Sequence, residues 1–136
     1  MDVSLVDSHC HIPMIEGTDG IDSLLDLAKQ NDVTHMLCVS VELETYPDIL
    51  ALAKKYDCIS ASVGVHPNTE MDKDPDVDEL VQMATDPSVV AIGETGLDYF
   101  RSEGDLEWQR DRFRTHIRAA KKVNKPLIIH CREAKD

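Results

Sequence analysis

Long apolar runs, closely spaced cysteines and low-complexity segments are all missing from this sequence. No apolar stretch approaches the roughly 20 residues that a bilayer-spanning helix needs, which excludes a membrane protein of that kind. The four cysteines are scattered, with neither a CxxC pair nor the spacing of a disulfide framework, and this predicts the reduced thiols of a cytoplasmic protein. Since no stretch has the composition of a linker, we predict one domain over residues 1–136.

Basic residues are scarce over most of the chain. Residues 1–100 contain 4 Lys/Arg against 20 Asp/Glu, whereas residues 101–136 contain 10 against 6. Because an acidic protein attracts nucleic acid poorly, a phosphodiester substrate would need a divalent metal ion and the basic C-terminal segment for its attraction. Most basic residues near the C-terminus, including Arg110, Arg112 and Arg114, are interpreted as the solvated face of an amphipathic helix.

Short apolar runs alternate with stretches of helical periodicity along the whole chain. The predicted strands are Val3–Ser8, Thr34–Val41, Cys58–Val65, Ser88–Gly93 and Leu127–Cys131. The predicted helices are Ile21–Gln30, Asp48–Tyr56, Asp76–Ala84 and about Leu106–Val123. The strands are nearly all apolar, as in a parallel sheet covered on both faces, so the pattern predicts an α/β protein with a parallel sheet, open or closed. A closed eight-unit barrel needs about 250 residues, and this chain reaches only the fifth strand.

Two histidines separated by one residue follow the first predicted strand. Alternate residues of an extended chain point the same way, so His9 and His11 would place both imidazoles on one side, at a spacing that suits one metal ion. The alternative is that both are helix-capping or solvated loop residues.

Other candidate ligands follow other predicted strands. His66 follows the third strand, Glu94 the fourth and His130 the fifth. Ligands bind at the carboxyl ends of parallel strands because the loops converge there, so we expect these side chains to meet His9 and His11. Histidines with a carboxylate able to bridge are what a hydrolytic centre of one or two metal ions requires.

Each of these residues also has a structural interpretation. Glu94 is predicted to be a metal ligand or general base, and the structural alternative is that it caps a helix or forms a salt bridge. His130 is likewise predicted to have a functional role. His66 would contact the substrate or orient its neighbours through a backbone hydrogen bond. His35 and His116 are isolated and are interpreted as structural.

The segment around Glu94 carries further candidates. Gly93 and Gly96 would let the backbone turn sharply and approach a ligand. Asp98 is expected to contact the substrate, unless it anchors the loop or holds a ligating histidine instead. Arg132 is expected to bind phosphate, whose oxygens a guanidinium matches in pairs, or else to be an ordinary surface residue.

Four sequence blocks together resemble the TatD family of metal-dependent deoxyribonucleases. The blocks are Asp7-Ser8-His9-Cys10-His11, Gly64-Val65-His66-Pro67, Gly93-Glu94-Thr95-Gly96-Leu97-Asp98-Tyr99 and Pro126-Leu127-Ile128-Ile129-His130-Cys131-Arg132-Glu133-Ala134. Their order and spacing make the resemblance far more specific than any one block. It covers essentially the whole chain, and it corresponds to the first half or so of a family member.

The resemblance implies a fold, a reaction and a set of ligands. The fold would be a TIM-type (β/α) barrel, here a partial barrel of about five parallel strands. The reaction would be hydrolysis of DNA phosphodiester bonds, as an exonuclease, with divalent metal, expected to be two ions of Mg, Mn or Zn. His9 and His11 would bind one ion, His130 the other, and Glu94 would bridge both and take part in catalysis.

Two alternatives remain open at this point. The family pattern continues with a histidine after the sixth strand and an aspartate after the eighth, so this chain could be a non-catalytic partial barrel. It would then self-associate, or bind a completing chain, through its open sheet edges. The other alternative is a related barrel hydrolase that acts on phosphomonoesters or amides, although many amidohydrolases have lysine where this chain has Glu94.

Overall fold

Five parallel strands form one sheet in the order of the sequence. The computed structural model describes residues 3–17 and 19–135, and Met1, Asp2, Thr18 and Asp136, which belong to the predicted domain, lie outside the described residues. The strands are β1 (Leu5–Cys10), β2 (Val33–Cys38), β3 (Ile59–Val63), β4 (Val89–Asp98) and β5 (Leu127–Arg132), and neighbours in this order are hydrogen-bonded. The helices are α1 (Ile21–Gln30), α2 (Tyr46–Lys55), α3 (Val77–Met83) and α4 (Glu107–Val123), and a 3-10 turn covers Ile12–Met14. The predicted parallel α/β fold is confirmed.

Strand β4 is longer than its apolar pattern predicts. The apolar run ends at Gly93, but the strand continues to Asp98 because its second half pairs with β5. In that pairing Gly96 lies opposite His130 and Asp98 lies opposite Arg132. Glu94 therefore lies within a strand and not in a loop after it.

The core lies between the sheet and its helices. Buried strand residues such as Met36 and Val63 join buried helix residues such as Ile49 and Leu80 in one cluster. Full burial of a side chain such as Leu80 contributes about 1.5–3 kcal/mol. No helix in the described part of the chain has the length and apolar composition to cross a bilayer.

The outermost strands β1 and β5 are largely uncovered. Leu5 and Val6 are 49% and 61% exposed, and Ile129 is 57% exposed. The prediction that the strands are covered on both faces is therefore wrong for β1 and β5. Each of them has a single neighbouring strand among the described residues, so part of its apolar surface remains in contact with solvent.

The first half of the inner face of α4 is polar. Gln109, Arg112 and His116 are all buried at 4% exposure or less, and they follow one another at spacings of three and four residues. Arg112 was interpreted as a solvated residue, and that interpretation is wrong. Its guanidinium donates to the carbonyls of His66 and Thr69 and pairs with Asp74, so the helix holds the loop after β3.

Candidate metal centre

The end of β1 and the middle of β4 bring His9, His11 and Glu94 together. The Nε2 atoms of His9 and His11 lie 3.2 Å apart. Oε2 of Glu94 lies 3.2 Å from Nε2 of His9 and 3.9 Å from Nε2 of His11. One ligand atom from each residue thus falls within 4.8 Å of the others, a separation that one metal ion can span.

The second oxygen of Glu94 faces a different histidine. Oε1 lies 3.4 Å from Nδ1 of His130, which is itself 3.1 Å from Nε2 of His66. Glu94 therefore directs one oxygen to the β1 histidines and the other to the β5 histidine. This is the arrangement that a carboxylate bridging two cations requires.

The chemistry of this cluster fits a divalent cation. Glu94 is only 9% exposed, and no lysine or arginine of the described residues lies within 4.0 Å of its carboxylate. A nearly buried carboxylate needs a compensating positive charge, and here only imidazoles surround it. Imidazole nitrogens with a shared carboxylate form a donor set that Zn²⁺ and related ions accept.

Hydrogen bonds orient two of the histidine rings. Nδ1 of His11 lies 3.1 Å from the carbonyl oxygen of Val39, and Nε2 of His130 lies 2.9 Å from Oδ2 of Asp98. A ring nitrogen that donates to an oxygen carries the proton, so the other nitrogen keeps its lone pair. The lone pairs left are on Nε2 of His11 and Nδ1 of His130, the two atoms that face Glu94.

Asp98 is buried beside the centre and hydrogen-bonded through both carboxylate oxygens. It is 1% exposed, Oδ1 accepts from the backbone N–H groups of Phe100 and Arg101, and Oδ2 accepts from Asn68 and His130. Burial alone would raise the pKa of Asp98, but these hydrogen bonds outweigh it and lower the pKa to about 2. Both oxygens are engaged within the protein, which agrees with the alternative that Asp98 anchors the loop and holds a ligating histidine, and its contact with the substrate stays a prediction.

His66 is placed as a hydrogen-bond donor. The backbone N–H of Asn68 donates to its Nδ1 at 3.1 Å, so the neutral ring carries its proton on Nε2, which points towards His130. Burial, followed by the proximity of His130, lowers the pKa of His66 and favours this neutral form. A protonated Nε2 cannot bind a metal ion, although its position in the cluster would otherwise suit one.

Glycines allow β4 to approach its neighbours closely. Gly96 has φ +142°, and a Cβ atom built on it would lie 2.0 Å from the carbonyl oxygen of His130. From the sequence, Gly93 and Gly96 were expected to let the backbone approach a ligand. Around Gly96 the space is instead taken by the backbone of β5, which brings His130 within reach of Glu94.

Arg132 lies at the edge of this centre, on the last position of β5. It is exposed, and its guanidinium carbon lies 3.8 Å from the centre of the Phe100 ring. Its predicted contact with phosphate stays a prediction. Phe100 was not singled out from the sequence, because no pattern links it to Arg132.

Residues of α4 that support the site were also missed. Gln109 accepts from the N–H of Asp98, and His116 accepts from the N–H of Val65, next to His66. Polar residues at 109, 112 and 116 share one helical face, and that spacing is the signal that could have revealed them. His116 has the structural role expected of it from the sequence.

Comparison with known proteins gives concordant results. Residues 6–136 match the family model described as TatD related DNase. An uncharacterised metal-dependent hydrolase of Buchnera aphidicola is 37% identical over 97% of this chain and 54% of its own length. A protein of Citrobacter koseri named 3'-5' ssDNA/RNA exonuclease TatD is 32% identical over 83% of this chain and 44% of its own length.

A solved structure extends the likeness to the fold. The crystal structure of YjjV, a TatD homologue from Escherichia coli K12, aligns with a TM-score of 0.83 at 28% identity, over 98% of this chain and 52% of that one. The predicted partial (β/α) barrel is thereby confirmed. The chain spans about half the length of the curated relatives it matches. The matching residues and the shared fold together place this chain in the TatD related DNase family, to which it belongs.

Proposed function

We propose that this chain forms part of the active site of a metal-dependent hydrolase that cleaves DNA phosphodiester bonds as an exonuclease. The observation that carries this proposal is the position of Glu94, whose two oxygens face separate histidine groups. The name of the Citrobacter koseri relative supports an exonuclease acting on single-stranded substrates. The remaining relative and the YjjV structure support the hydrolase class and the fold.

In this proposal the site would hold two divalent ions. His9 and His11 would bind one ion, His130 would bind the other, and Glu94 would be a ligand of both. Ions in these places would supply Lewis acidity that activates water and stabilises negative charge on phosphoryl oxygens. The candidates are Mg, Mn and Zn, and the three imidazoles favour Zn or Mn over Mg.

The other residues act on the substrate or on the ligands. With Nδ1 of His130 bound to an ion, the Nε2–H group of neutral His66 would be free to donate a hydrogen bond to a phosphoryl oxygen, since Asn68 keeps the proton on Nε2. Asp98 keeps Nδ1 of His130 free for the ion by accepting from Nε2. Arg132, exposed at the edge of the centre, contacts a phosphate group of the substrate.

Cleavage of end-labelled single-stranded DNA tests the proposal. The chain would be incubated with Mg²⁺, Mn²⁺ or Zn²⁺, and products would be compared with those of His9→Ala and Glu94→Ala. His35→Ala is the matched control, because His35 contacts Ser60 away from the cluster. We expect metal-dependent cleavage that both site variants abolish and the control retains. Cleavage that survives in Glu94→Ala, or none with any of the metals, would contradict the proposal, and nitrophenyl phosphates and cyclic amides would then show whether another substrate class is used.

The open edges of the sheet support a second proposal, on partners. Leu5 and Val6 on β1 and Ile129 on β5 are exposed, and both strands have unpaired backbone groups on one side. We propose that a segment carrying further β/α units pairs with these edges. A second copy of this chain fits less well, because it would duplicate His9 and His11 without supplying further ligands. Size-exclusion chromatography with thermal melting tests it: the chain alone should show a broad transition or associate weakly. A monomer with a sharp melting transition would refute it.

A further inference from the structure

Phe100 and Arg132 form an exposed stack at the edge of the metal centre. Phe100 is 52% exposed, and the guanidinium carbon of Arg132 lies 3.8 Å from the centre of its ring. A single exposed phenylalanine is ordinary on a protein surface and carries no argument alone. Here, however, the ring is combined with a planar cation, and each still has surface open to solvent.

The same carboxylate that positions the metal-site histidine also positions this stack. Asp98 accepts from Nε2 of His130 through one oxygen and from the N–H groups of Phe100 and Arg101 through the other. Arg132 follows His130 by two residues on β5, which corresponds to about 6.6 Å along a strand. Both members of the stack are thus attached to the backbone close to His130, Arg132 through β5 and Phe100 through Asp98.

Arg132 differs from Arg110 and Arg112 of α4 in its charge partners among the described residues. On α4, Arg110 pairs with Glu107, and Arg112 pairs with Asp74. In contrast, no carboxylate among residues 3–17 and 19–135 lies within 4.0 Å of the Arg132 guanidinium. In a chain of net charge −12, an arginine beside the metal centre that has no carboxylate partner among the described residues is suited to an anionic ligand.

We infer that Phe100 and Arg132 form a nucleotide subsite for single-stranded nucleic acid, an inference that rests on the proposed function. One base stacks on the open surface of the pair, and the N–H edge of the guanidinium donates to a phosphate of the same strand. Arginine serves both purposes because its face stacks while its edge donates. A single strand is required because the base must expose its face, which is covered within a duplex.

Binding of oligonucleotides in EDTA tests the subsite without any cleavage. Fluorescence anisotropy would compare a labelled oligonucleotide with the same oligonucleotide containing one abasic position, placed in turn along the strand. Phe100→Ala should weaken binding of the complete oligonucleotide roughly 5- to 150-fold. When the abasic site is at the one position whose base would stack on Phe100, the variant and the unchanged chain should bind the abasic oligonucleotide equally. Leu27→Ala, at a side chain of α1 that is 55% exposed, is the matched control and should change neither.

Two further variants separate stacking from other causes. Phe100→Leu keeps an apolar side chain but has no aromatic face, so it should lose the base-dependent affinity as Phe100→Ala does. Arg132→Ala should lower the dependence of log K on log salt by about 0.7, the value for one phosphate contact on a single strand, whereas Arg132→Lys should keep it. Comparing DNA and RNA oligonucleotides of the same sequence would show which of the two nucleic acids the subsite prefers.

The outcomes distinguish this inference from the proposed function. Base-dependent binding without any metal-dependent cleavage would contradict the proposed function and support the subsite. The opposite result is that the unchanged chain cleaves DNA but Phe100→Ala weakens binding of the complete and the abasic oligonucleotide equally. That result would support the proposed function and overturn the subsite. Full affinity in Phe100→Leu, or no oligonucleotide binding by the unchanged chain, would also overturn it.

Discussion

Asp98 accepts a 2.9 Å hydrogen bond from His130, on the side of the ring opposite to Glu94. Nε2 of His130 faces Oδ2 of Asp98, and Nδ1 faces Oε1 of Glu94 at 3.4 Å. The ring of His130 thus lies between two carboxylates. That of Asp98 is surrounded by hydrogen-bond donors, and that of Glu94 belongs to the cluster of candidate ligands. Such a buried carboxylate fixes the tautomer of a ligating histidine and makes its free nitrogen a stronger ligand.

Replacing Asp98 by asparagine should weaken metal binding. Without the carboxylate, His130 loses the acceptor that keeps Nδ1 available, and we expect about a 10- to 100-fold loss of affinity for Mn²⁺ or Zn²⁺. Isothermal titration calorimetry on the folded chain measures it. Asp72→Asn, at an exposed aspartate, serves as the control. Equal affinities of the two variants would show that Asp98 does not act through His130.

Glu94→Gln should separate metal binding from folding. The nearly buried carboxylate has only imidazoles around it, so its removal relieves an uncompensated charge when no metal is bound. We expect Glu94→Gln to melt at or above the temperature of the unchanged chain in EDTA. Added Zn²⁺ or Mn²⁺ should raise the melting temperature of the unchanged chain but not that of the variant. An equal rise in both proteins would contradict the shared-ligand role of Glu94.

Arg112→Ala should destabilise the fold strongly. The variant leaves Asp74 without its partner and the carbonyls of His66 and Thr69 without a donor, for a loss of about 3–5 kcal/mol in unfolding free energy. Arg114→Ala on the same helix should cost no more than about 1 kcal/mol, because its ion pairs are exposed. Urea denaturation gives both values. Similar losses in the two variants would show that the contacts of Arg112 contribute little.

His116 should make stability depend on pH. Burial, the largest cause, lowers the pKa of His116, and its Nε2 accepts from the N–H of Val65. The unfolded chain therefore binds the proton more readily than the folded chain below about pH 6.5. The contribution of His116 is complete above that pH and is lost as the pH falls through the lower folded-state value, with a slope of up to about 1.4 kcal/mol per pH unit.

The variant His116→Gln isolates this effect. Glutamine can accept from the N–H of Val65 but does not titrate, so the fall in unfolding free energy between pH 7 and pH 5 should be smaller in the variant. His35→Gln is the control for replacing a histidine elsewhere in the sheet. Parallel pH profiles for His116→Gln and the unchanged chain would show that His116 is not held neutral by the fold.

Local patterns were sufficient for the order of the elements. Helix α1 has the bounds that its apolar spacing predicts. This is because the apolar face of a helix repeats every three to four residues and can be recognised from a short stretch of sequence. The same reasoning placed the end of β4 at Gly93, five residues too early. Residues Thr95 to Asp98 lack an apolar run and are extended because β5, some thirty residues later, supplies their hydrogen-bond partners.

The site was predicted as a set of residues but not as an arrangement. His9, His11, Glu94 and His130 could be chosen because each was expected at or just after the carboxyl end of a predicted strand, and parallel strands bring their carboxyl ends to one edge. Their position in the fold agrees with that choice, although their role as ligands stays a prediction. Asp98 could not be assigned, because its partners lie in three different elements.

The amino-acid sequence by itself determined the class of fold, the family and the residue types that meet at the sheet edge, since periodicity and short motifs are properties of neighbouring residues. Only the tertiary structure decided which oxygen of Glu94 faces which histidine, that the first half of the inner face of α4 is polar, and that Phe100 stacks on Arg132. These depend on contacts between distant parts of the chain. Backbone groups left unpaired by the loops are expensive to bury, and that cost draws Arg112 and His116 inward against the pattern that their charge predicts.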